Sequence, residues 1–185
     1  MAGSGRIRGN SGRFFRDSCQ EHTLMIRNMA DGDLQAVLDI YKMGIETGNA
    51  TFETALPAAE KWDQSHHKFC RFVCVENGAV VGWAALSPVS QRPCYSGVAE
   101  LSIYVSIDHV GQGIGHDLLA HLIPESETNG IWTIHSSIFP ENKASHRLLL
   151  KFGFREVGRR EKIARLSGRW RTTLILERRS KVVGD

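Results

Sequence analysis

The feature that most constrains this chain is a glycine-rich loop between a strand pattern and a helix pattern. Residues 101–107 alternate apolar side chains with polar or aromatic ones, and Gly111-Gln112-Gly113-Ile114-Gly115 follows them. Glycine adopts positive φ angles and lets the backbone approach a ligand closely. A helix that begins directly after such a loop offers free N–H groups and a favourable dipole to a phosphate. The loop therefore predicts an anion site, with a plain glycine-rich turn as the structural alternative.

The loop differs from two common nucleotide-binding motifs. It lacks the Gly-Lys-Ser/Thr ending of a P-loop. Its glycine spacing, and its position after two or three earlier strands, also differ from those of the dinucleotide-binding fingerprint. The sequence therefore indicates a phosphate-bearing ligand of another kind.

The rest of the chain alternates strand and helix patterns, which predicts a sheet protein of the α/β or α+β class. Strand patterns cover residues 24–28, 68–76, 79–86, 98–106, 131–138 and 169–176. Asn77-Gly78 predicts a hairpin turn between the second and third of these. Four helix patterns follow Asp33, Pro57, the glycine loop and Asn142. Pro124 is expected to kink or stop the third of these helices. Gly153 is expected to end the fourth.

We predict a single domain over residues 24–179. Residues 1–23 are rich in Gly, Ser and Arg without a sustained apolar period, which is typical of a disordered leader or a cloning remnant. Residues 180–185 are interpreted as a C-terminal tail. No apolar run approaches the length of a membrane span, and no secretory signal is recognisable, so we expect a cytoplasmic protein without a membrane partner.

Charge is distributed unevenly along the chain. Residues 155–181 contain ten Lys or Arg and three acids, whereas residues 17–154 contain nine bases and sixteen acids. A basic C-terminal third suits a nucleic acid, a membrane or a phosphorylated cofactor, or it is simply a solvated surface. The segment lacks the interleaved aromatic residues of a nucleic-acid platform, so we do not expect a nucleic-acid partner.

The cysteines and histidines do not predict a metal site. Cys70 and Cys74 fall on one face of a strand pattern, where packing is a better interpretation than bridging or metal binding. The histidines are scattered, with no ligand spacing tied to acids or cysteines. The absence of a CxxC motif favours a reducing, cytoplasmic setting.

Two polar residues, one before and one after the loop in the sequence, are candidates for catalysis or ligand binding. Glu100 shares a strand face with Ser102 and Tyr104 and lies about ten residues before the loop, where a carboxylate suits a general base. A solvated strand start is the structural alternative. Asn142 precedes a helix pattern, which suits either a helix N-cap or a side-chain amide that contacts a ligand.

The loop, the Glu100 strand and the segment 142–154, in this order, resemble the GNAT N-acetyltransferase superfamily, and the resemblance covers residues 24–177. Arg92-Pro93-Cys94-Tyr95 and Gly168-Arg169-Trp170-Arg171 look like its phosphinothricin and methionine sulfone/sulfoximine acetyltransferase branch. The resemblance implies a twisted mixed sheet of six to seven strands with about four helices. It also implies acetyl-CoA as co-substrate, a small amine as acceptor, and a homodimer.

The resemblance further implies roles for individual residues. Glu100 matches the carboxylate that deprotonates the substrate ammonium in this branch, and Arg92 and Ser102 fall where the branch binds its amino-acid acceptor. Asn142 matches a position that contacts the cofactor. The other cofactor positions are Ile103, Tyr104 and Val105 along the pantetheine, and Gly111, Gln112, Gly113, Ile114, Gly115 and His116 around the pyrophosphate.

Three positions depart from the family pattern. Val110 stands where the loop usually opens with Gln or Arg, and Thr172 stands where an acid often follows the tryptophan motif. Leu149 stands where many relatives place a tyrosine general acid, and leucine cannot donate a proton. Two other functions stay open: an acetyltransferase acting on protein, peptide or RNA, and a non-catalytic acyl-CoA-binding sensor.

Overall fold

The computed structural model describes Met1 and residues 24–184, so the predicted leader lies almost entirely outside the described residues. The described residues form one seven-stranded sheet and four α-helices, which confirms the predicted fold class. The strands are β1 (Leu24–Asn28), β2 (Phe72–Glu76), β3 (Ala79–Pro88), β4 (Val98–Val105), β5 (Thr133–Ile138), β6 (Arg155–Leu166) and β7 (Arg169–Arg179). The helices are α1 (Leu34–Glu46), α2 (Ala59–Ser65), α3 (Ile114–Thr128) and α4 (Lys143–Lys151).

Helices cover both faces of the sheet, whose strand order is β1-β2-β3-β4-β5-β7-β6. On one face, α1 and α2 bury Val37, Leu38 and Trp62 against β2 and β3. On the other face, α3 buries Leu118 and Leu122 against β2, β3 and β4. Because both faces are covered, central strands such as β2 are apolar on both sides rather than alternating.

Strands β4 and β5 are the parallel neighbours of the sheet, and they pair over only three residues. Their register runs from Val98 opposite Thr133 to Glu100 opposite His135. Beyond Glu100, β4 stays paired with β3 as far as Val105, whereas β5 pairs onward with β7. The two strands therefore part after Glu100, as the family resemblance implies, and a cleft opens between their carboxyl ends.

Of the two effects expected at Pro124, a kink or a stop, the stop is wrong, because helix α3 runs through this residue. It continues to Thr128, whose hydroxyl donates to the Pro124 carbonyl at 3.1 Å. Proline lacks the N–H that would bond the carbonyl of Ala120, four residues earlier. Both residues lie on the exposed face of the helix, where water can take the place of the missing donor.

Strand β6 was not among the predicted strands. Its register slips at two places, between Glu156 and Gly158 and between Arg160 and Ala164. These irregularities break the period of two on which strand prediction depends. The strand lies at the edge of the sheet and is largely exposed, so its sequence is charged rather than apolar, as edge strands often are.

Helix α4 begins and ends where the sequence predicts. The side-chain oxygen of Asn142 accepts a hydrogen bond from the Ser145 N–H at 3.1 Å, which makes Asn142 the N-cap. At the other end, Gly153 has φ of 80°. The Phe154 N–H donates to the Leu149 carbonyl and the Gly153 N–H to the Leu150 carbonyl, both at 3.1 Å. This pair of bonds is a Schellman motif.

Replacing Gly153 by alanine is expected to destabilise the fold by about 1 kcal/mol, because a Cβ is unfavourable in the left-handed region. Gly158 is the matched control, since its φ is not positive and an added Cβ would meet no atom closer than 4.0 Å. Urea unfolding of Gly153→Ala and Gly158→Ala measures both changes. A similar loss in both variants would contradict the assignment of Gly153 as the left-handed helix terminus.

Candidate active site

The separation of β4 and β5 produces a cleft of about 1260 Å³. The cleft is lined by the segment that joins α1 to α2, the second half of β4, the glycine loop, the end of β5, α4 and the β6–β7 hairpin. Most of the sequence-predicted site residues line it, whereas Gln112 and Arg92 do not. Those that do are Glu100, Ser102, Ile103, Tyr104, Val105, Gly111, Gly113, Ile114, Gly115, His116 and Asn142.

One wall of the cleft is an unpaired strand edge. The Ser106 N–H donates to the Val81 carbonyl on β3 at 2.8 Å. Backbone groups of a strand alternate between its two edges, so Ile103 and Val105 direct their N–H and C=O groups away from β3, toward the cleft. The backbone of Tyr104 faces β3 instead. Within the described residues no strand pairs with this edge, so it can accept an extended, amide-bearing ligand.

The glycine loop forms the N-terminus of α3. Gly111 and Gly113 have φ of 88° and 86°, and Gly113 is the N-cap residue. The first bond of the helix runs from the Asp117 N–H to the Gly113 carbonyl. The N–H groups of the three residues between them have no partner within the helix, because the first turn lacks acceptors. An added Cβ at either glycine would meet no atom within 4 Å, so the loop surface is open.

Two cations on α4 line the same part of the cleft, and the sequence patterns did not single them out. Arg147 and Lys151 lie four residues apart on α4, about one helical turn, and Leu148 lies between them in the sequence. An added Cβ at Gly115 would lie 3.0 Å from the Leu148 side chain, so α4 packs directly on the first turn of α3. Free amides, the positive end of a helix dipole and two cations together favour a ligand with several phosphate charges.

Aromatic side chains line the cleft on the α1 side of the sheet. The Tyr104 ring stacks on Trp83 with centroids 4.9 Å apart, and Tyr41 meets Tyr104 at the same distance in an edge-on arrangement. Burial raises the pKa of Tyr104, so its hydroxyl stays protonated at neutral pH. The contact of Tyr41 with the β4 face depends on tertiary packing between distant segments.

His66 is a further side chain of this wall that sequence reasoning missed. Its ring stacks on Trp62 at 4.1 Å, and its Nδ1 lies 2.7 Å from the Trp62 carbonyl oxygen. Burial lowers the pKa of His66 below its ordinary value, which leaves the imidazole neutral at neutral pH. Nδ1 then carries the proton that the carbonyl accepts, and Nε2 is the remaining acceptor.

Glu100 lies where the two parallel strands part. Its carboxylate is partly exposed, lines the cleft, and makes no hydrogen bond or ion pair with another described residue. Ser102 and Tyr104 follow on the same strand face, as the alternation predicts. A carboxylate that is open to the cleft and unneutralised can accept a proton from a bound ligand.

None of the three cysteines that the structure describes supplies a nucleophile to the cleft. Cys70 and Cys74 are buried free thiols in the core, as predicted. Burial raises the pKa of Cys70 to about 12 and that of Cys74 to about 11, so both thiols stay protonated. Cys94 is exposed and does not line the cleft.

Arg92 and Asn142 have partners that the sequence did not predict. Arg92 is exposed next to a short turn, Pro93–Tyr95, and its guanidinium lies 5.6 Å from the centre of the Tyr95 ring. Asn142 lines the cleft, but its side chain both caps α4 and donates to the Asn49 carbonyl at 3.4 Å.

Two classes of site are not found in the part of the chain that the structure describes. Over residues 24–184, no three His, Cys, Asp or Glu side chains are grouped so as to hold a metal ion. No described helix is long and apolar enough to cross a membrane.

Two comparisons with curated proteins point to the same branch. The chain is 28% identical to the phosphinothricin N-acetyltransferase of Streptomyces coelicolor over 155 residues, which is 80% of this chain and 91% of that protein. It is also 28% identical to the L-methionine sulfoximine/L-methionine sulfone acetyltransferase of Pseudomonas paraeruginosa, over 78% of this chain and 88% of that protein.

Solved structures share the fold as well. The ribosomal-protein-alanine N-acetyltransferase from Brucella melitensis is similar with a TM-score of 0.79 and 30% identity, over 84% of this chain and 99% of that one. A GNAT superfamily phosphinothricin acetyltransferase from Sinorhizobium meliloti, solved in complex with acetyl-CoA, has a TM-score of 0.77 and 27% identity, over 85% and 88% of the two chains.

The sequence model of the acetyltransferase (GNAT) family matches residues 35–154, which include nearly all of α1, most of the cleft lining, the glycine loop and α4. This match confirms the family that the motifs indicate. The chain therefore belongs to the GNAT family and is an acetyl-CoA-dependent N-acetyltransferase.

Proposed function

We propose that this enzyme acetylates the primary amine of a small amino-acid-like acceptor, of the phosphinothricin or methionine sulfone/sulfoximine type, with Glu100 as general base. The observation that carries the proposal is the position of Glu100. Its carboxylate is unpaired and lies where β4 and β5 part, between the aromatic wall and the unpaired strand edge. The acceptor class is supported by the names of relatives that align over three quarters or more of the chain.

In this proposal the pyrophosphate and the pantetheine arm of acetyl-CoA bind to different parts of the cleft. The pyrophosphate lies on the amides of residues 111–116, with Arg147 and Lys151 beside it. The pantetheine amides extend along the backbone of Ile103 and Val105 like an added strand. Val110, which replaces the usual polar residue of the loop, leaves the anion contacts to the backbone and to α4.

The chemical step requires a neutral amine. We propose that Glu100 takes a proton from the acceptor ammonium, through a water molecule, so that the nitrogen lone pair can attack the thioester carbonyl. The new C–N bond forms as the C–S bond breaks, and a strand-edge N–H near Val105 faces the developing oxyanion. Leu149 cannot protonate the leaving thiolate, so the proton comes from the reacting amine or from solvent.

The acceptor would lie among Tyr41, Trp83 and Tyr104, with Ser102 beside the base. An amino-acid acceptor also brings a carboxylate, which needs a cation. Arg160 on β6 lines the cleft and makes no ion pair with another described residue, whereas Arg92 lies outside the cleft lining. We therefore propose Arg160 alongside the sequence-predicted Arg92 as a carboxylate ligand.

We also propose that the enzyme is a homodimer and that it is cytoplasmic. The β6–β7 hairpin exposes Val157, Ile163 and Trp170, an apolar surface that a second copy would cover in a homodimer. The buried free thiols of Cys70 and Cys74 fit a reducing compartment, in keeping with a cytoplasmic enzyme.

A protein or peptide acceptor is the second candidate. It is favoured by the similarity to the Brucella ribosomal-protein-alanine N-acetyltransferase and by the basic, exposed β6–β7 hairpin. Isotope-labelled acetyl transfer to free amino acids and to alanine-terminated peptides separates the two classes of acceptor. A non-catalytic sensor of acyl-CoA would bind the thioester and label neither.

Calorimetry with CoA tests the proposed phosphate site. Gly113→Ala is expected to weaken CoA binding by about 10-fold or more, the cost of disrupting a hydrogen bond to a charged group. Gly153→Ala is the matched control, because both glycines have φ near 80° and open surroundings, so the strain is similar in both. Equal CoA affinity in the two variants would show that the loop is only a turn.

Glu100→Gln tests the base. The substitution is expected to lower kcat about 10²- to 10⁴-fold at neutral pH, because an amide cannot accept the ammonium proton. Activity should partly recover at high pH, where more of the amine is already neutral, and CoA affinity should change little. The measurement is the pH–rate profile of both proteins with one accepted amine. Parallel profiles of near-equal height would assign the base to another group.

Arg160→Gln tests recognition of the acceptor carboxylate, with Arg92→Gln as its matched comparison. Arg160→Gln is expected to lower kcat/KM for an amino-acid acceptor about 10- to 100-fold, because the acceptor carboxylate would lose a charged hydrogen-bond donor. The same variant should leave kcat/KM for the corresponding amino-acid amide unchanged. Equal losses on both acceptors would contradict a carboxylate contact, and a selective loss in Arg92→Gln alone would transfer the role to that residue.

A further inference from the structure

The segment between α1 and α2 forms one wall of the acceptor half of the cleft. Asn49, Thr51 and Phe52 line the cleft, although this segment has no helix or strand of its own. Its internal side-chain bonds are short-range: Asn49 N–H to the Thr47 hydroxyl and Glu53 N–H to the Thr51 hydroxyl, each at 3.1 Å. Such a loop needs longer-range contacts to hold one conformation.

One arginine from the far end of the chain supplies two such contacts. Arg171 on β7 donates through Nη1 to the Gly48 carbonyl at 2.8 Å, and through Nη2 to the Asn49 side-chain oxygen at 3.3 Å. Its guanidinium carbon also lies 3.9 Å from the centre of the Phe139 ring, and its side chain is only 18% exposed. A planar fork of donors over an aromatic ring is an arrangement that lysine cannot reproduce.

Neighbouring contacts extend this connection into the cleft. Phe139, beneath the guanidinium, meets Phe52 edge-on with ring centroids 4.9 Å apart. The Asn142 side-chain amide donates to the Asn49 carbonyl from the N-terminus of α4. These contacts therefore connect residues 47–53 to the end of β5, to β7 and to the cap of α4, and they meet at Asn49. The remaining contact of Arg171, with the exposed Glu141 carboxylate at 3.3 Å, is a surface ion pair of small energetic value.

We propose that Arg171 is a positioning residue that holds residues 47–53 across the mouth of the cleft, so that this loop faces Glu100. The inference rests on the proposed function in so far as that function assigns this half of the cleft to the acceptor amine. The role does not involve contact with the reacting atoms. It acts on residues 47–53, and among the described residues it makes no hydrogen bond or ion pair with the glycine loop, Arg147 or Lys151.

The test compares Arg171→Met and Arg171→Lys with Arg165→Met. Arg165 is the matched control, because it also covers an aromatic ring, Trp170 at 4.6 Å, but does not contact the loop. Arg171→Met is expected to lower kcat/KM for the amine about 10- to 100-fold, mainly through KM, because a misplaced wall orients the acceptor poorly. The KM for acetyl-CoA should stay within about twofold of wild type. Arg171→Lys should restore little, and Arg165→Met should behave as wild type.

Amide hydrogen exchange separates this inference from the proposed function. Arg171→Met should speed exchange over residues 47–53 relative to wild type, and Arg165→Met should not. If the wild-type enzyme acetylates none of the small amines, the proposed acceptor class fails, yet the exchange result still tests the positioning role. Unchanged exchange, an unchanged amine KM, or an equal rise in both KM values would overturn the inference.

Asn49→Ala provides a second variant in case Arg171→Met folds poorly. It removes the side-chain acceptor of Arg171 and leaves the Asn49 carbonyl available to Asn142. Its effect on the amine KM should have the same sign as that of Arg171→Lys and should not add to it in the double variant, because the Asn49 side chain acts through its contact with Arg171. Additive effects would contradict the proposed connection.

Discussion

The active-site cleft depends on the early end of the pairing between β4 and β5. Three residue pairs join the strands, and after Glu100 and His135 each strand keeps a partner on its other side only. The backbone groups on the open edges cannot be satisfied within the sheet, and they are the groups that an extended, amide-bearing ligand would complete. The same separation leaves Glu100 at the branch point, where its carboxylate faces the cleft rather than a neighbouring strand.

Charge is divided between the two ends of this cleft. The loop amides of α3, together with Arg147 and Lys151, make one end positive. The other end contains the Glu100 carboxylate, aromatic rings and His66. Burial lowers the pKa of His66 below its usual value. A polyanionic co-substrate and a cationic amine would therefore be drawn to opposite ends, which places the two reactive groups near Glu100.

Much of this arrangement could be predicted from local sequence. The Asn142 cap, the Gly153 terminus and the alternation around Glu100 all depend on interactions within a few residues, and the structure has each of them as expected. Pro124 does not stop α3, because the lost hydrogen bond falls on a solvated face of the helix. The edge strand β6 was missed because bulges interrupt its alternation. His66 and Arg160 carry no local signal, and the motif that contains Arg171 does not reveal its partners, since the places of all three residues follow from contacts between distant segments.

The central claim is that the open edge of β4 receives the pantetheine arm of acetyl-CoA as an added strand. Residue-resolved amide exchange, measured with and without bound acetyl-CoA, tests it most directly. The account predicts that binding slows exchange at Ile103 and Val105, whose N–H groups face the cleft, and leaves Tyr104, whose N–H faces β3, nearly unchanged. Binding detected by calorimetry without slower exchange at Ile103 or Val105 would contradict the claim.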